Sequence, residues 1–170
     1  MHSEAREAVR HAVTELGLTG PQRVLDFGGR DVNGTVRDLF HAECVWTVID
    51  REPGVGVDIV GDACEWMPGL GEWWDVAIAT EVFEHEPRWP LMLDRVVMAL
   101  RSGGALVVTA ACDPREPHSG YDGWGLREGE LYANVDPAEL AAEAEQQLGS
   151  VPVLWTHPRG DAYLYGRKAR

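Results

Sequence analysis

Positive charge is scarce in this chain. Its 15 Lys and Arg stand against 28 Asp and Glu, a formal net charge of −13. Nucleic-acid binding rests largely on Lys and Arg neutralising phosphates. With no basic run to interrupt the acidity, nucleic acid is a disfavoured partner. Long apolar runs are also missing. No stretch approaches the roughly 20 residues that a membrane span needs. The first ten residues carry alternating charge and no apolar signal core, so the expectation is a cytoplasmic protein. Cysteine is sparse: Cys44, Cys64 and Cys112 are odd in number and widely spaced, with neither a disulfide framework nor a CxxC metal pattern. They read as small reduced core residues. Internal repeats and low-complexity tracts are absent too.

What is present is an alternation of strand and helix patterns within 170 residues, a length that suits one domain with its own core. Residues 3–18 predict a helix with Ser3 as its cap and Ala8, Ala12, Val13 and Leu16 on one stripe. Residues 23–27 (RVLDF) predict a buried strand running into a glycine-rich turn at 28–34, and residues 35–40 a helix. Strands are expected at 44–50, 57–60 and 75–80. A helix follows at 87–100, closed by Gly103-Gly104, and then a strand at 105–111. A loop of about 25 residues, Cys112 to Val135, rich in Gly, Pro, Asp and His, precedes a helix from Asp136 to Leu148. Two strands at 151–156 and 162–166 flank a turn at 158–161 and predict a hairpin. The whole reads as α/β: a three-layer sandwich around a mostly parallel seven-stranded sheet with an antiparallel C-terminal hairpin. Ligands in such sheets lie beyond the carboxyl ends of the strands.

Four groups of residues fall at those ends. Asp26, Gly28, Gly29 and Gly34 follow the first strand. Glycine there permits a sharp turn and close approach of a ligand to the main chain, and the helix after it offers free N–H groups to a carboxylate. Asp50 ends the second strand at the offset of a ribose-binding acid; the alternative is a solvated strand-end carboxylate. Gly61-Asp62-Ala63 follow the third strand, where a carboxylate and a main-chain N–H can read an adenine. Trp66 and Met67 stand near to cover the ring, against the alternative of a simple turn. Thr80-Glu81-Val82-Phe83-Glu84-His85 follow the fourth strand. Carboxylates and an imidazole there can orient or deprotonate an acceptor, or simply be acids in a helix's first turn.

In order and spacing, VLDFGG, VIDREPGVGVDIVGDA, WDVAIATEVFEHEP and LRSGGALVVTA resemble the successive motifs of class I S-adenosylmethionine-dependent methyltransferases. The resemblance runs over about residues 20–112. The nearest group is the broad small-molecule, type 11-like kind with an EVLEH segment after strand four. It implies a Rossmann-like fold in which Asp26, Gly28 and Gly29 shape the methionine pocket. Asp50 would hold the ribose, Asp62 and Ala63 would contact the adenine, and Thr80 would lie beside the sulfonium. Arg30 stands where the family places its second spaced glycine, and would pair with the cofactor's carboxylate. Glu81, His85 and His118 are the candidate bases. Residues 1–20 then form an N-terminal helix, 21–112 the cofactor-binding core, 113–135 the acceptor-side loop, and 136–170 a helix and closing hairpin.

The acceptor is expected to be a small molecule under that loop, with Tyr121, Trp124 or Tyr132 stacking on it or packing the loop onto the sheet. The loop is short for a lid, which argues for an open acceptor site, a bulky partner, or a second subunit completing the pocket as a homodimer. Three rival readings compete with this one. Glu81, Glu84 and His85 form ExxEH, which resembles the metal-binding part of small-RNA 2′-O-methyltransferases and, with His118, offers ligands for a divalent ion. The same EH segment is widespread in methyltransferases without metal, and no residue is assigned to one. A non-catalytic binding module would share the fold. An NAD-binding domain would share the glycine turn and Asp50, but it leaves the segments after strands three and four unexplained.

Overall fold

The structure is a computed structural model and describes residues 2–71 and 73–170. Strands form where short apolar runs are bracketed by turn residues. Arg23–Phe27 (β1), Trp74–Thr80 (β4) and Leu100–Ala111 (β5) are buried over most of their length, as strands covered on both faces are. Val45–Asp50 (β2), Ile59–Val60 (β3), Val153–His157 (β6) and Asp161–Arg167 (β7) complete one seven-stranded sheet. Its order is β3-β2-β1-β4-β5-β7-β6, and only β7 runs against the others. This is the Rossmann-like sheet with a closing antiparallel hairpin that the sequence predicts.

Alternate residues of each strand face opposite layers. Val24, Val76, Ile78 and Val107 meet Val9, Ala12 and Val13 of helix α1 (Ser3–Glu15) on one side. Leu25, Phe27, Ala77, Ala79, Leu106 and Val108 face the other. There they pack with Leu93 and Val96 of α2 (Trp89–Ala99) and Leu140 and Ala144 of α3 (Pro137–Leu148). Burying each large aliphatic side chain contributes about 1.5–3 kcal/mol. Asp136 caps α3 by accepting from Ala138 and Glu139 N–H, and Gly149 ends it in the left-handed region at φ 67°, both as expected.

Several expected boundaries move. The first helix stops at Glu15, three residues early, because Gly17 adopts φ 63° and turns the chain. Its cap is His2, which accepts from Ala5 N–H, while the Ser3 hydroxyl donates to Glu4. The helix expected at 35–40 is a single 3-10 turn, Arg37–Leu39. Six residues holding two β-branched side chains, after a glycine at φ 97°, are too few to nucleate an α-helix; the segment instead anchors itself by burying Val36 and Phe40. No helix N-terminus therefore follows the glycine turn.

Gly103 and Gly104 do not stop α2 either. Leu100 becomes extended at ψ 136° and the chain passes straight into β5. Pairing jumps from Trp74↔Leu100 to Val76↔Ala105, so the glycines lie in a bulge. A Cβ at Gly104 would sit 2.9 Å from the Arg101 carbonyl oxygen, which is the constraint those glycines answer.

Candidate active site

β1 pairs with β2 on one side and β4 on the other, so the crossovers leave β1 in opposite directions. Beyond its carboxyl end lies a cavity of about 720 Å³, within the range of small-molecule sites. Asp26, Gly28, Gly29, Asp50, Ala63 and Thr80 line it, as do Arg30, Glu81, His85 and His118. Of the residues assigned to the cofactor from the sequence, Asp62 does not line it.

Asp26, one residue from the end of β1, is buried, and its Oδ1 has no hydrogen-bond partner. Burial raises its carboxyl to about 7, with Asp50 adding to the rise against the opposing pull of Arg37. A side chain on the turn beside it would collide with its neighbours. A Cβ on Gly29 would lie 2.3 Å from Asp26 Oδ2, and one on Gly28, which holds φ 69°, would lie 2.5 Å from Val82 Cγ2.

Asp50 is held by both oxygens. Oδ2 accepts from Arg30 N–H at 3.1 Å and Oδ1 from Glu52 N–H at 2.9 Å. Each oxygen keeps a second acceptor site, so the carboxylate is oriented without being exhausted. The Arg30 side chain bends toward the same acid, with Nε 3.9 Å from Oδ1. Its guanidinium carbon lies 5.8 Å from the Tyr121 ring centroid, and its stem fills the space that a Cβ on Gly54 would need. It thus ties the glycine turn to the second strand and the long loop.

Asp62 faces away. Its Oδ1 accepts from Cys64 N–H and its Oδ2 pairs with Arg88 at 2.6 Å, and that guanidinium holds its carboxyl below the usual range. Trp66 packs edge-on against Phe27 and Trp74 in the core, and neither it nor Met67 lines the cavity. Ala63 is the residue of this turn that does.

The fourth-strand segment carries backbone strain. Glu81, at φ 55°, is the only non-glycine residue with positive φ among the described residues, a conformation costing about 1–3 kcal/mol that tertiary contacts must impose. Its N–H donates to Thr109 O, and its carboxylate accepts from the Thr109 hydroxyl at 2.8 Å. The other oxygen lies 3.1 Å from His2 Nε2. Burial opposes its charge, but the His2 contact prevails and holds the carboxyl below the ordinary range. His2 also lies 3.2 Å from Asp161, which accepts from Arg115 at 2.8 Å. Nothing in the sequence pattern announces His2 or Arg115: both reach the cavity from segments remote in the chain, and only the docking of α1 and the long loop brings them together.

His85, His118 and Tyr132 meet edge to face, with ring centroids 5.0–5.4 Å apart. Burial, with the neighbouring His118, lowers the His85 imidazole below its usual value. The loop that carries His118 is internally fastened by Glu130, which accepts from Ser119 Oγ, Gly120 N–H and Arg127 N–H at 2.6–3.1 Å. Of the aromatic residues considered for the acceptor, Tyr121 lines the cavity between Arg30 and Arg127. Tyr132 packs on the histidines, and Trp124 is exposed.

No protein-family model matches the sequence, and no curated protein matches it. Solved structures do. The chain is similar to the Burkholderia thailandensis 1,6-didemethyltoxoflavin-N1-methyltransferase bound to 1,6-didemethyltoxoflavin and S-adenosylhomocysteine, at TM-score 0.70 and 18% identity over 99% of this chain and 79% of that one. It is similar to the N-methyltransferase NodS of Bradyrhizobium japonicum in complex with S-adenosylhomocysteine, at 0.62 and 17% over 98% and 86%. It is also similar to DhpI in complex with S-adenosylhomocysteine, at 0.60 and 20% over 98% and 86%. At such identities the likeness is one of fold: the chain has the Rossmann-like fold of S-adenosylmethionine-dependent methyltransferases.

Proposed function

We propose that the chain is a single methyltransferase domain that transfers a methyl group from S-adenosylmethionine to a small molecule. The observation that carries this is the convergence of Asp26, Gly28, Gly29, Asp50, Ala63 and Thr80 on one cavity at the switch point of the sheet. The residues fit the cofactor. The unpartnered buried oxygen of Asp26 suits an ammonium group. The oriented carboxylate of Asp50 suits a pair of ribose hydroxyls. The main chain at Gly28 and Gly29 admits close approach. Ala63, rather than the Asp62 side chain, would meet the adenine, and Thr80 would stand beside the sulfur. Arg30, leaning on Asp50, would close the ribose side.

When bound, the cofactor supplies an electrophilic methyl group on a sulfonium. The protein's task is then alignment, and holding reactants in place contributes about 7–11 kcal/mol in favourable cases. Glu81, His85 and His118, on the acceptor side of Thr80, are the groups that would orient the acceptor and take its proton. The Glu81–His85 segment, EVFEH, supports placement near the type 11-like group. The net charge of −13 supports a small molecule over nucleic acid. The free thiols of Cys44, Cys64 and Cys112 support a cytoplasmic setting.

Calorimetry with S-adenosylmethionine and S-adenosylhomocysteine on the wild type and Asp50→Ala tests the reading. The expected result is micromolar binding of both ligands that the substitution abolishes. Absence of heat with either ligand on the wild type overturns it.

A further inference from the structure

Among the described residues, Arg30, Arg51, Arg115 and Arg127 bring positive charge to the cavity lining. Arg30 leans on Asp50, and Arg51 pairs with Glu86 at 2.7 Å. Arg127 pairs with Asp122 and is exposed. Arg115 differs, because its place is fixed from several sides. Its N–H donates to Cys112 O at 2.8 Å, and its carbonyl oxygen accepts from Asn134 Nδ2 at 3.0 Å. The turn between β6 and β7 presses on its main chain: Gly160, at φ 92°, would place a Cβ 2.3 Å from Arg115 N. Buried Asp161 steers the side chain by accepting from Nη1 at 2.8 Å.

Arg115 Nε and Nη2 make no hydrogen bond to any described residue. The side chain is 26% exposed and borders the cavity. Nε–H and Nη2–H form one edge of the planar guanidinium, an edge that receives a carboxylate through two parallel hydrogen bonds. The surroundings admit an anion although the chain carries −13 overall. Asp161 is offset by Arg115 itself. Glu81 is offset by His2, whose imidazole it raises above the usual value through their hydrogen bond. Burial, with Glu81 adding to it, holds the Glu84 carboxyl well above the carboxylate range, so that group brings no charge. An acceptor without an anionic group fits less well. Covering Arg115 would strip water from three N–H donors and give them no partner, which costs free energy.

We propose that the methyl acceptor carries a carboxylate and that the free edge of Arg115 anchors it in the cavity beside His2. The proposal rests on the methyl-transfer reading and names the substrate class of that same site. Arg115 is then a specificity-determining residue, and Asp161 is the residue that positions it. The rings of Tyr121, His85 and His118 line the same cavity and suit a flat body attached to the carboxylate.

The test uses the full chain, free and saturated with S-adenosylhomocysteine. Saturation-transfer NMR titrations compare benzoate with benzamide, which has the same shape and no charge. Benzoate should bind about tenfold more tightly or better. Arg115→Gln should abolish that preference. Arg115→Lys keeps a cation for Asp161 but lacks the second edge. It should melt as the wild type does and lose most of the preference, so it carries the test if Arg115→Gln does not fold. Arg127→Gln should keep the preference. The proposal is overturned by equal binding of the two probes to the wild type, by a full preference in Arg115→Lys, or by its loss in Arg127→Gln. Calorimetry with S-adenosylhomocysteine separates the two readings. A chain that binds it and shows no benzoate preference overturns the carboxylate anchor alone. A benzoate preference in a chain that does not bind it leaves an anion site and overturns its role in methyl transfer.

Discussion

Asp26 and Gly29 are a matched pair: the carboxylate occupies the space a side chain on the glycine would need. Gly29→Ala should therefore cost about 1–3 kcal/mol by overpacking and weaken S-adenosylhomocysteine binding. In an Asp26→Ala background the same change should cost measurably less, and additive losses in urea unfolding would show that the contact does not govern the turn. Asp26 also gives stability a pH dependence. Its carboxyl rises from 3.8 to about 7 on folding. Between those limits the folded chain keeps a proton that the unfolded chain has shed, so stability falls as pH rises through the window and the penalty is complete above it. At 1.36 kcal/mol per unit the full penalty approaches roughly 4 kcal/mol. Asp26→Asn, which cannot ionise, should gain on the wild type steadily from pH 4 to pH 8. A constant difference between the two across that range would refute the shift.

At the level of elements, the sheet was legible because runs such as VVTAA and DVAIAT are β-rich and bounded by turn residues, and a buried strand leaves that mark locally. What failed to show were features decided at a distance. Gly103-Gly104 reads as a helix stop from local chemistry, yet pairing with β4 draws the glycines into a bulge of β5. Residues 35–40 carry a helical start, but burial of Val36 and Phe40 satisfies them within one 3-10 turn. His2 caps α1 and reaches Glu81, a contact with no periodicity behind it. The composition of the long loop marks it as a loop; its internal order, three hydrogen bonds on Glu130, leaves no mark in the sequence. Glu130→Ala should release it. Losing these charge-assisted bonds should make local opening about tenfold more frequent. Trypsin should then cut after Arg127 about tenfold faster while the global melting temperature barely moves. Equal cleavage rates would show that Glu130 does not hold the loop.

For the whole molecule, the ligand cavity draws on the carboxyl ends of four neighbouring strands, on His2 ahead of α1 and on the long loop. β1 supplies Asp26, β2 Asp50, the turn after β3 Ala63, and β4 Thr80. A ligand that touches all four fastens together segments that separate on unfolding, so binding should be read globally as well as at the site. One site that the folded state alone can form adds about 2.7 kcal/mol at a ligand concentration one hundred times Kd. For a domain of this size each kcal/mol moves the melting temperature by about 2–4 °C. Saturating S-adenosylhomocysteine should therefore raise it by roughly 5–11 °C. Asp50→Ala should show no rise at the same concentration, because the carboxylate that orients the second strand's end is gone. NAD makes the sharper control. It too demands a glycine turn and a strand-two acid, but no use of Ala63 or Thr80 follows from its chemistry. If NAD moves the melting temperature and S-adenosylhomocysteine does not, the cavity belongs to a dinucleotide site and the methyl-transfer reading falls. If only S-adenosylhomocysteine moves it, the four strand ends act together as one cofactor site.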